Sequence, residues 1–179
     1  MGQRYPFSAQ VARWSGSLLL VALACSVFAF RAHADDAAML GEVAPDFAAK
    51  ALSGQNVRLS EYRGDVVVVA FWSGRCNVCR GQLEALERIT QTYRNTGLVV
   101  VSINLDANEE RARDFANGLN VSYPLVVEAR DAIGRDYQVN VLPTVVMIDR
   151  AGKIRFVRRD WRRLDEADYV RALRPLLDE

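Results

Sequence analysis

The chain has 179 residues, of which 50% are hydrophobic and 25% are charged, with three cysteines and a single histidine. This composition fits one globular domain with a sizeable core, and it excludes a disordered, collagen-like or disulfide-stapled chain. Nucleic-acid binding favours a strongly basic surface. The formal net charge is only +1, so we do not expect nucleic acid as a partner.

The first 34 residues have the pattern of a secretory signal. Two arginines precede an apolar run of 13 residues, Leu18–Phe30, and Ala32-His33-Ala34 then offers small residues where a signal peptidase cuts, before Asp35. As a helix this run would extend about 20 Å, less than the ~30 Å of a bilayer core. We therefore expect an exported, periplasmic or envelope protein. The alternatives are a membrane anchor formed by an uncleaved N-terminus, or lipidation of Cys25.

Cleavage would leave residues 35–42 as a short lead and residues 43–179 as one domain. It would also remove Cys25 and His33, so that Cys76 and Cys79 remain and no histidine does. A structural zinc site needs about four nitrogen or sulfur ligands, and a catalytic triad needs a histidine. We therefore expect no metal and no organic cofactor, and copper delivery is disfavoured for the same reason.

Strand-like and helix-like patterns alternate along residues 43–179, which predicts an α/β domain with a buried, largely parallel centre. Asp106 and Glu109 resemble a capping box at the start of one helix, and Pro175 is expected to bend or end the last helix. The predicted elements, in chain order, are a short hairpin (44–47 and 57–60), a buried strand (66–72), a helix (76–94), a strand (97–105), a helix (106–119), a strand (123–127), a short helix (131–139), a hairpin (144–148 and 154–157) and a helix from about 165.

Two thiols separated by two residues, Cys76 and Cys79, follow the buried strand. This spacing can close a disulfide with little backbone movement, and the start of a helix favours the thiolate form of the first cysteine. Cys76 is the predicted nucleophile, and Cys79 would resolve the mixed disulfide. Arg75 and Arg80 would lower the thiol pKa if their charges lie near the sulfurs.

A structural disulfide is the alternative interpretation of this pair, and it is common in exported proteins. However, a loop closed over two intervening residues constrains the unfolded chain little, so it stabilises a fold poorly. The position of the pair directly after a buried strand favours redox chemistry.

Several motifs together resemble a known fold. They are Phe71-Trp72, Cys76-x-x-Cys79-Arg80 at a strand-to-helix junction, and Leu142-Pro143-Thr144 before a hairpin. This combination resembles the thioredoxin fold. Ala44-Pro45-Asp46-Phe47 and the stretch 59–64 narrow the resemblance to the TlpA/ResA-like branch of the bacterial envelope, related to the AhpC/TSA redoxins. It covers residues 43–179.

The resemblance implies a central mixed sheet flanked by helices, an N-terminal β-hairpin extension, and an inserted strand-helix unit between Cys79 and Pro143. It also implies that Pro143 is cis and lies against the disulfide. Leu142, Pro143 and Trp72 would then form the substrate-binding part of the site, with the backbone of Leu142 pairing with the substrate.

The implied function is that of an exported thiol-disulfide oxidoreductase that reduces protein disulfides. Its partners would be protein thiol or disulfide substrates and a membrane electron donor, because its compartment is oxidising, and we expect a monomer. One alternative is an oxidase or isomerase of the same fold. A thiol peroxidase is a weaker alternative, since Ser73 fits its motif but Val69 stands where that motif needs proline. A non-catalytic binding module is the third.

The chain departs from the family pattern around the cysteines. Arg75 replaces the usual second Trp, and Asn77-Val78 replaces a proline-containing dipeptide. Gln82 and Ala70 stand where relatives carry acids, so that proton transfer to Cys79 would use water. Glu84 is a candidate substitute, although a solvated helix position is the alternative interpretation.

A run of basic residues between positions 150 and 163 begins in the turn of the last predicted strand pair and continues beyond it. It could dock an acidic partner or a membrane, or it could be a charged edge that resists aggregation. The residues are Arg150, Lys153, Arg155, Arg158, Arg159, Arg162 and Arg163.

Overall fold

The computed structural model describes residues 39–127, 132–159 and 166–179. The predicted signal sequence, with Cys25 and His33, lies outside these ranges. The strands are β1 (Ala48–Lys50), β2 (Asn56–Arg58), β3 (Val66–Trp72), β4 (Leu98–Asn104), β5 (Leu125–Val127), β6 (Thr144–Ile148) and β7 (Ile154–Arg159). The helices are α1 (Cys79–Tyr93), α2 (Glu109–Asn117), α3 (Ala132–Asp136) and α4 (Glu166–Leu177).

Strand β3 is the centre of a five-stranded mixed sheet with the order β5-β4-β3-β6-β7. It runs parallel to β4 and antiparallel to β6, while β4 and β5 are parallel and β6 and β7 form the predicted hairpin. All seven residues of β3 are buried. A run of β-branched and aromatic residues suits such a strand, because both of its faces are covered.

Successive β3 side chains point to opposite faces of the sheet and enter two separate cores. Val66, Val68, Ala70 and Trp72 pack with buried residues of α1, α2 and α4. Val67, Val69 and Phe71 point to the other face and pack with the N-terminal segment. They also pack with Ile133 in α3 and with Tyr137, which directly follows α3. Helices therefore flank the sheet. Two strand-helix units, β4 with α2 and β5 with α3, lie between α1 and Pro143, which is one unit more than the minimal fold has, as predicted.

The N-terminal hairpin exists, but its strands differ from the predicted ranges. Residues 44–47 precede β1 instead of forming it, and Leu59–Tyr62 is a 3₁₀ turn instead of a strand. The reason is Asp46, whose carboxylate accepts hydrogen bonds from the backbone N–H and the hydroxyl of Ser60, both at 2.9 Å. This contact joins the approach to β1 with the 3₁₀ turn, and β1 and β2 pair only between those points.

Helix boundaries also differ from the predicted ones. The capping box predicted at Asp106 is wrong, because α2 is capped by Asn108, whose side-chain oxygen accepts a hydrogen bond from the Arg111 N–H at 2.9 Å. Helix α3 is shorter than predicted, and α4 ends two residues after Pro175. Asp106 therefore does not cap α2, and its carboxylate binds Ser73 and Gly74 instead.

Part of the basic run has structural partners. The Arg150 guanidinium donates to the backbone carbonyls of Gly64 (2.8 Å), Thr96 (3.3 Å) and Leu177 (3.1 Å). These three carbonyls belong to the turn before β3, the turn before β4 and the end of α4. Arg155 pairs with buried Asp149 at 3.0 Å. Arg162 and Arg163 lie outside the described residues.

We expect Arg150→Met to lower the free energy of unfolding by about 2 kcal/mol, because three carbonyls lose a charged donor. The matched control is Arg171→Met, which removes an ion pair to Asp168 from a side chain that is 77% exposed. That change should have no measurable effect. Urea denaturation followed by circular dichroism makes the comparison, and equal losses in the two variants would contradict the structural role of Arg150.

Candidate active site

The two cysteines form a disulfide, with an S–S distance of 2.06 Å and a Cα–Cα distance of 5.3 Å. Cys79 is fully buried, whereas Cys76 is half-buried. Helix α1 begins at Cys79, and Cys76 lies in the preceding turn, where its N–H donates to the carbonyl of Ser73 at 3.0 Å. The sequence-based expectation that the helix begins at Cys76 is therefore wrong. Cys76, the less buried of the two cysteines, lies just ahead of the positive end of α1.

The peptide bond between Leu142 and Pro143 is cis, as the resemblance implied. Pro143 is buried and directly precedes β6, whose first residue, Thr144, pairs with Phe71 near the end of β3. Leu142 is half-buried, and Val141 before it is 47% exposed. The proline loop therefore lies at the same end of the sheet as the turn that carries Cys76.

Trp72 is the last residue of β3 and is fully buried. Its indole N–H donates to the hydroxyl of Ser102 at 3.2 Å, and its ring stacks on Phe115 with 5.0 Å between centroids. Buried Trp side chains normally satisfy the N–H in this way. Trp72 presents no surface to a substrate in this state and instead supports the floor of the site.

The two arginines proposed to tune the cysteines are placed differently. The Arg80 guanidinium lies 4.5 Å from the centroid of the Phe115 ring and donates to the carbonyls of Phe115 and Gly118, at the end of α2. A cation at a helix C-terminus is electrostatically favourable. Arg75 is exposed, and its backbone N–H donates to the hydroxyl of Ser73 at 3.1 Å.

A model of the AhpC/TSA family matches residues 40–157. The chain belongs to the AhpC/TSA family. Among its relatives in the family, the thiol-disulfide oxidoreductase ResA of Geobacillus thermodenitrificans is 30% identical over 138 residues, which cover 77% of this chain and 79% of that protein. The thioredoxin-like protein YneN of Bacillus subtilis is 32% identical over 117 residues, covering 64% of this chain and 68% of YneN.

Solved structures of thiol-disulfide proteins share the fold. The thiol:disulfide interchange protein DsbE of Chlorobium tepidum aligns with a TM-score of 0.73 and 30% identity, covering 77% of this chain and 97% of that one. A protein disulfide isomerase structure from Bacteroides thetaiotaomicron aligns with a TM-score of 0.71 and 30% identity, covering 78% and 91%. With the Cys76–Cys79 pair, these relatives identify this AhpC/TSA family member as a thiol-disulfide oxidoreductase of the ResA/TlpA-like type with a thioredoxin fold.

Three residues near the cysteines differ from the family pattern or were proposed to compensate for it: Gln82, Ala70 and Glu84. Gln82 is buried in α1 and donates through its amide nitrogen to the Tyr169 hydroxyl at 3.0 Å. Among the described residues, its amide oxygen has no hydrogen-bond partner. Ala70 is buried in β3, and Glu84 is exposed on α1. Glu84 therefore lies on the solvated side of the helix.

Asp106, which the sequence pattern predicted as a helix cap, is an acid at this site. It follows β4, is 6% exposed, and accepts hydrogen bonds from the Ser73 hydroxyl (2.7 Å), the Gly74 N–H (2.6 Å) and the Asn104 amide (2.9 Å). Burial by itself would raise the pKa of Asp106. These hydrogen bonds, with the charge of Arg111, instead hold the pKa below its ordinary value.

Within residues 39–127, 132–159 and 166–179, no three His, Cys, Asp or Glu side chains are grouped as metal ligands would be. In the same ranges, no helix combines the length and the hydropathy needed to cross a bilayer.

The lowered pKa of Asp106 gives a pH dependence of stability. The unfolded carboxylate binds a proton near pH 3.9, while the folded one holds its charge to lower pH. The contribution to stability is therefore complete above about pH 5 and is lost as the pH falls through the folded pKa. We expect the free energy of unfolding to fall between pH 5 and pH 3 in urea titrations. The fall should be shallower in Asp106→Asn, and parallel pH profiles of the two proteins would contradict this assignment.

Proposed function

We propose that this oxidoreductase is exported and reduces protein disulfides, with Cys76 as the nucleophile and Cys79 as the resolving thiol. The observation that carries the proposal is the difference in exposure between the two bonded cysteines: Cys76 is half-buried and Cys79 is fully buried. A substrate disulfide can approach Cys76, whereas burial shields Cys79 from it. Attack by the accessible thiolate followed by intramolecular resolution fits this arrangement.

In the reducing direction, the Cys76 thiolate attacks one sulfur of the substrate disulfide and forms a mixed disulfide. The other substrate sulfur leaves as a thiolate and takes up a proton. The Cys79 thiolate then attacks the Cys76 sulfur and releases the second substrate thiol. Two electrons pass from the dithiol to the substrate, and the protein is left with the Cys76–Cys79 bond that the structure contains.

Substrate binding is assigned to Leu142 and Pro143. They precede β6 and lie at the same end of the sheet as the cysteine turn, where an extended peptide could pair with the backbone of Leu142. Val78 and Val141 are exposed by 38% and 47% beside these two segments, and they offer apolar contact. Trp72 would act from beneath the site, since it is fully buried.

Arg75 is the better of the two candidates for lowering the thiol pKa. It is exposed and immediately precedes Cys76, whereas the donors of Arg80 bind carbonyls at the end of α2. A nearby cation favours the thiolate form of a cysteine.

Export rests on the signal pattern of residues 1–34, with the uncleaved anchor and the lipidated Cys25 as its alternatives. Each reduction of a substrate leaves the Cys76–Cys79 bond formed, and an oxidising compartment has no reduced thiol pool to reopen it. The reducing role therefore requires a membrane electron donor to re-reduce it. We propose that the protein acts as a monomer on protein thiols and disulfides.

The cysteine variants test the proposed roles. Cys76→Ser should abolish the reduction of insulin by the dithiol protein. Cys79→Ser should form a mixed disulfide that is not released, because the resolving thiol is missing. Turbidity measures insulin reduction, and mass spectrometry identifies the trapped adduct. Full activity of Cys76→Ser would refute the assignment of the nucleophile.

The oxidase or isomerase alternative is favoured by one finding, since the aligned structures include a protein disulfide isomerase. The redox potential distinguishes the directions. We expect a value below about −250 mV, as for reductants, while a value near about −120 mV would assign the protein to the oxidants. Equilibration with glutathione or dithiothreitol buffers, followed by quantification of free thiols, provides the measurement.

A further inference from the structure

The carboxylate of Asp106 lies where two parallel strands end together. Trp72 at the end of β3 pairs with Asn104 at the end of β4, and the Leu105 N–H donates to the Trp72 carbonyl at 2.9 Å. The segment that follows β3 leads to Cys76, and the segment that follows β4 carries Asp106. The two segments therefore leave the sheet side by side.

Asp106 binds the first of these segments at consecutive residues. One carboxylate oxygen accepts from the Ser73 hydroxyl, and the other accepts from the Gly74 N–H. The Ser73 hydroxyl oxygen in turn accepts from the Arg75 N–H at 3.1 Å, and the Ser73 carbonyl accepts from the Cys76 N–H at 3.0 Å. Each residue from 73 to 76 is thus tied to Asp106 directly or through Ser73.

Asp106 is itself held in place. The Asn104 amide donates to it at 2.9 Å, and the Asn104 side-chain oxygen accepts from the Asp106 N–H, also at 2.9 Å. Asn104 is fully buried at the end of β4. A buried carboxylate with this many charge-assisted hydrogen bonds has one favoured position, so it can fix the loop that it binds.

The loop also packs tightly against α2. A Cβ atom added at Gly74 would lie 3.0 Å from the Arg111 Cγ, 3.2 Å from the Arg111 carbonyl oxygen and 3.3 Å from an Asp106 carboxylate oxygen. These contacts are tighter than most contacts of a Cβ atom, so a side chain here would require Arg111 or Asp106 to shift. At Gly74 the loop therefore lies close to both α2 and the Asp106 carboxylate.

We propose that Asp106 is a positioning residue for Cys76, acting through Ser73 and Gly74 to hold the nucleophile where it closes onto Cys79. This inference rests on the proposed function, in which Cys76 and Cys79 exchange with substrate as a pair. A fixed loop raises the effective concentration of one thiol at the other. The negative charge of Asp106 also opposes the thiolate form of the reduced pair, since like charges repel. Both effects favour the disulfide.

The test is the equilibrium between the protein disulfide and glutathione, measured in the full chain. In Asp106→Asn the closure constant should fall about tenfold, which corresponds to a potential about 30 mV less negative. Mass spectrometry of the alkylated peptide that contains Cys76 and Cys79 measures the oxidised fraction. An unchanged constant would overturn the proposal.

Asp149→Asn is the matched control. Asp149 is also a buried aspartate, 5% exposed, and it accepts a hydrogen bond from the Lys153 backbone N–H. Burial by itself would raise the pKa of Asp149, but hydrogen bonds from Lys153 and Arg155 hold the pKa below its ordinary value. It follows Ile148, which pairs with Val67 at the opposite end of β3. This variant should lose stability in urea yet keep the closure constant within twofold of the unmodified protein. Equal shifts in both variants would show that the effect of Asp106 is one of general stability and would refute the positioning role.

Ser73→Ala separates geometry from charge, because it removes the link to Arg75 while the Asp106 charge stays. We expect its closure constant to fall at least threefold. A tenfold fall in Asp106→Asn with no change in Ser73→Ala would overturn the proposal in favour of charge alone. The glutathione equilibrium does not depend on the direction of catalysis. Insulin reduction by Cys76→Ser would therefore refute the proposed function while this measurement still decides the role of Asp106.

Discussion

Burial of β3 on both of its faces is the constraint on which the rest of the structure depends. A strand of seven buried residues must have a packed layer above and below it and a paired strand on each side. The helices α1, α2 and α4 cover one face, and the N-terminal segment covers the other with residues around α3. Because this strand cannot move without disrupting both cores, its two ends are fixed points from which loops leave the sheet.

The chemistry lies at one of those ends. The carboxyl ends of β3 and β4 and the start of β6 meet there, and each contributes one part of the site: Cys76, Asp106 and Pro143. The catalytic turn is short and departs from a rigid strand, and a rigid element of this kind holds a functional group more exactly than a long loop does.

The order of the elements and the redox pair could be predicted from the sequence, because both are encoded locally. The apolar run of β3 and the two-residue spacing of the cysteines need no distant partner to be interpreted. Asp106 and Arg80 show where local patterns fail. Asp106 and Asn108 are both suitable helix caps by residue type, and only the contact with Ser73 and Gly74, more than 30 residues earlier, decides between them. The long Arg80 side chain extends to the end of α2, where it donates to the Gly118 carbonyl. Its position next to Cys79 in the sequence does not reveal this direction.

The two buried aspartates at opposite ends of β3 have a consequence for how such a protein can change. Effects of substitutions at well-separated sites usually add independently. Substitutions around Asp149 and Arg150 would alter the stability of the fold, while those around Asp106 would alter the cysteine chemistry in addition to stability. The effects at the two ends would interfere little with each other. Evolution or protein engineering could therefore raise the thermal stability of this oxidoreductase without changing the redox properties of its two cysteines.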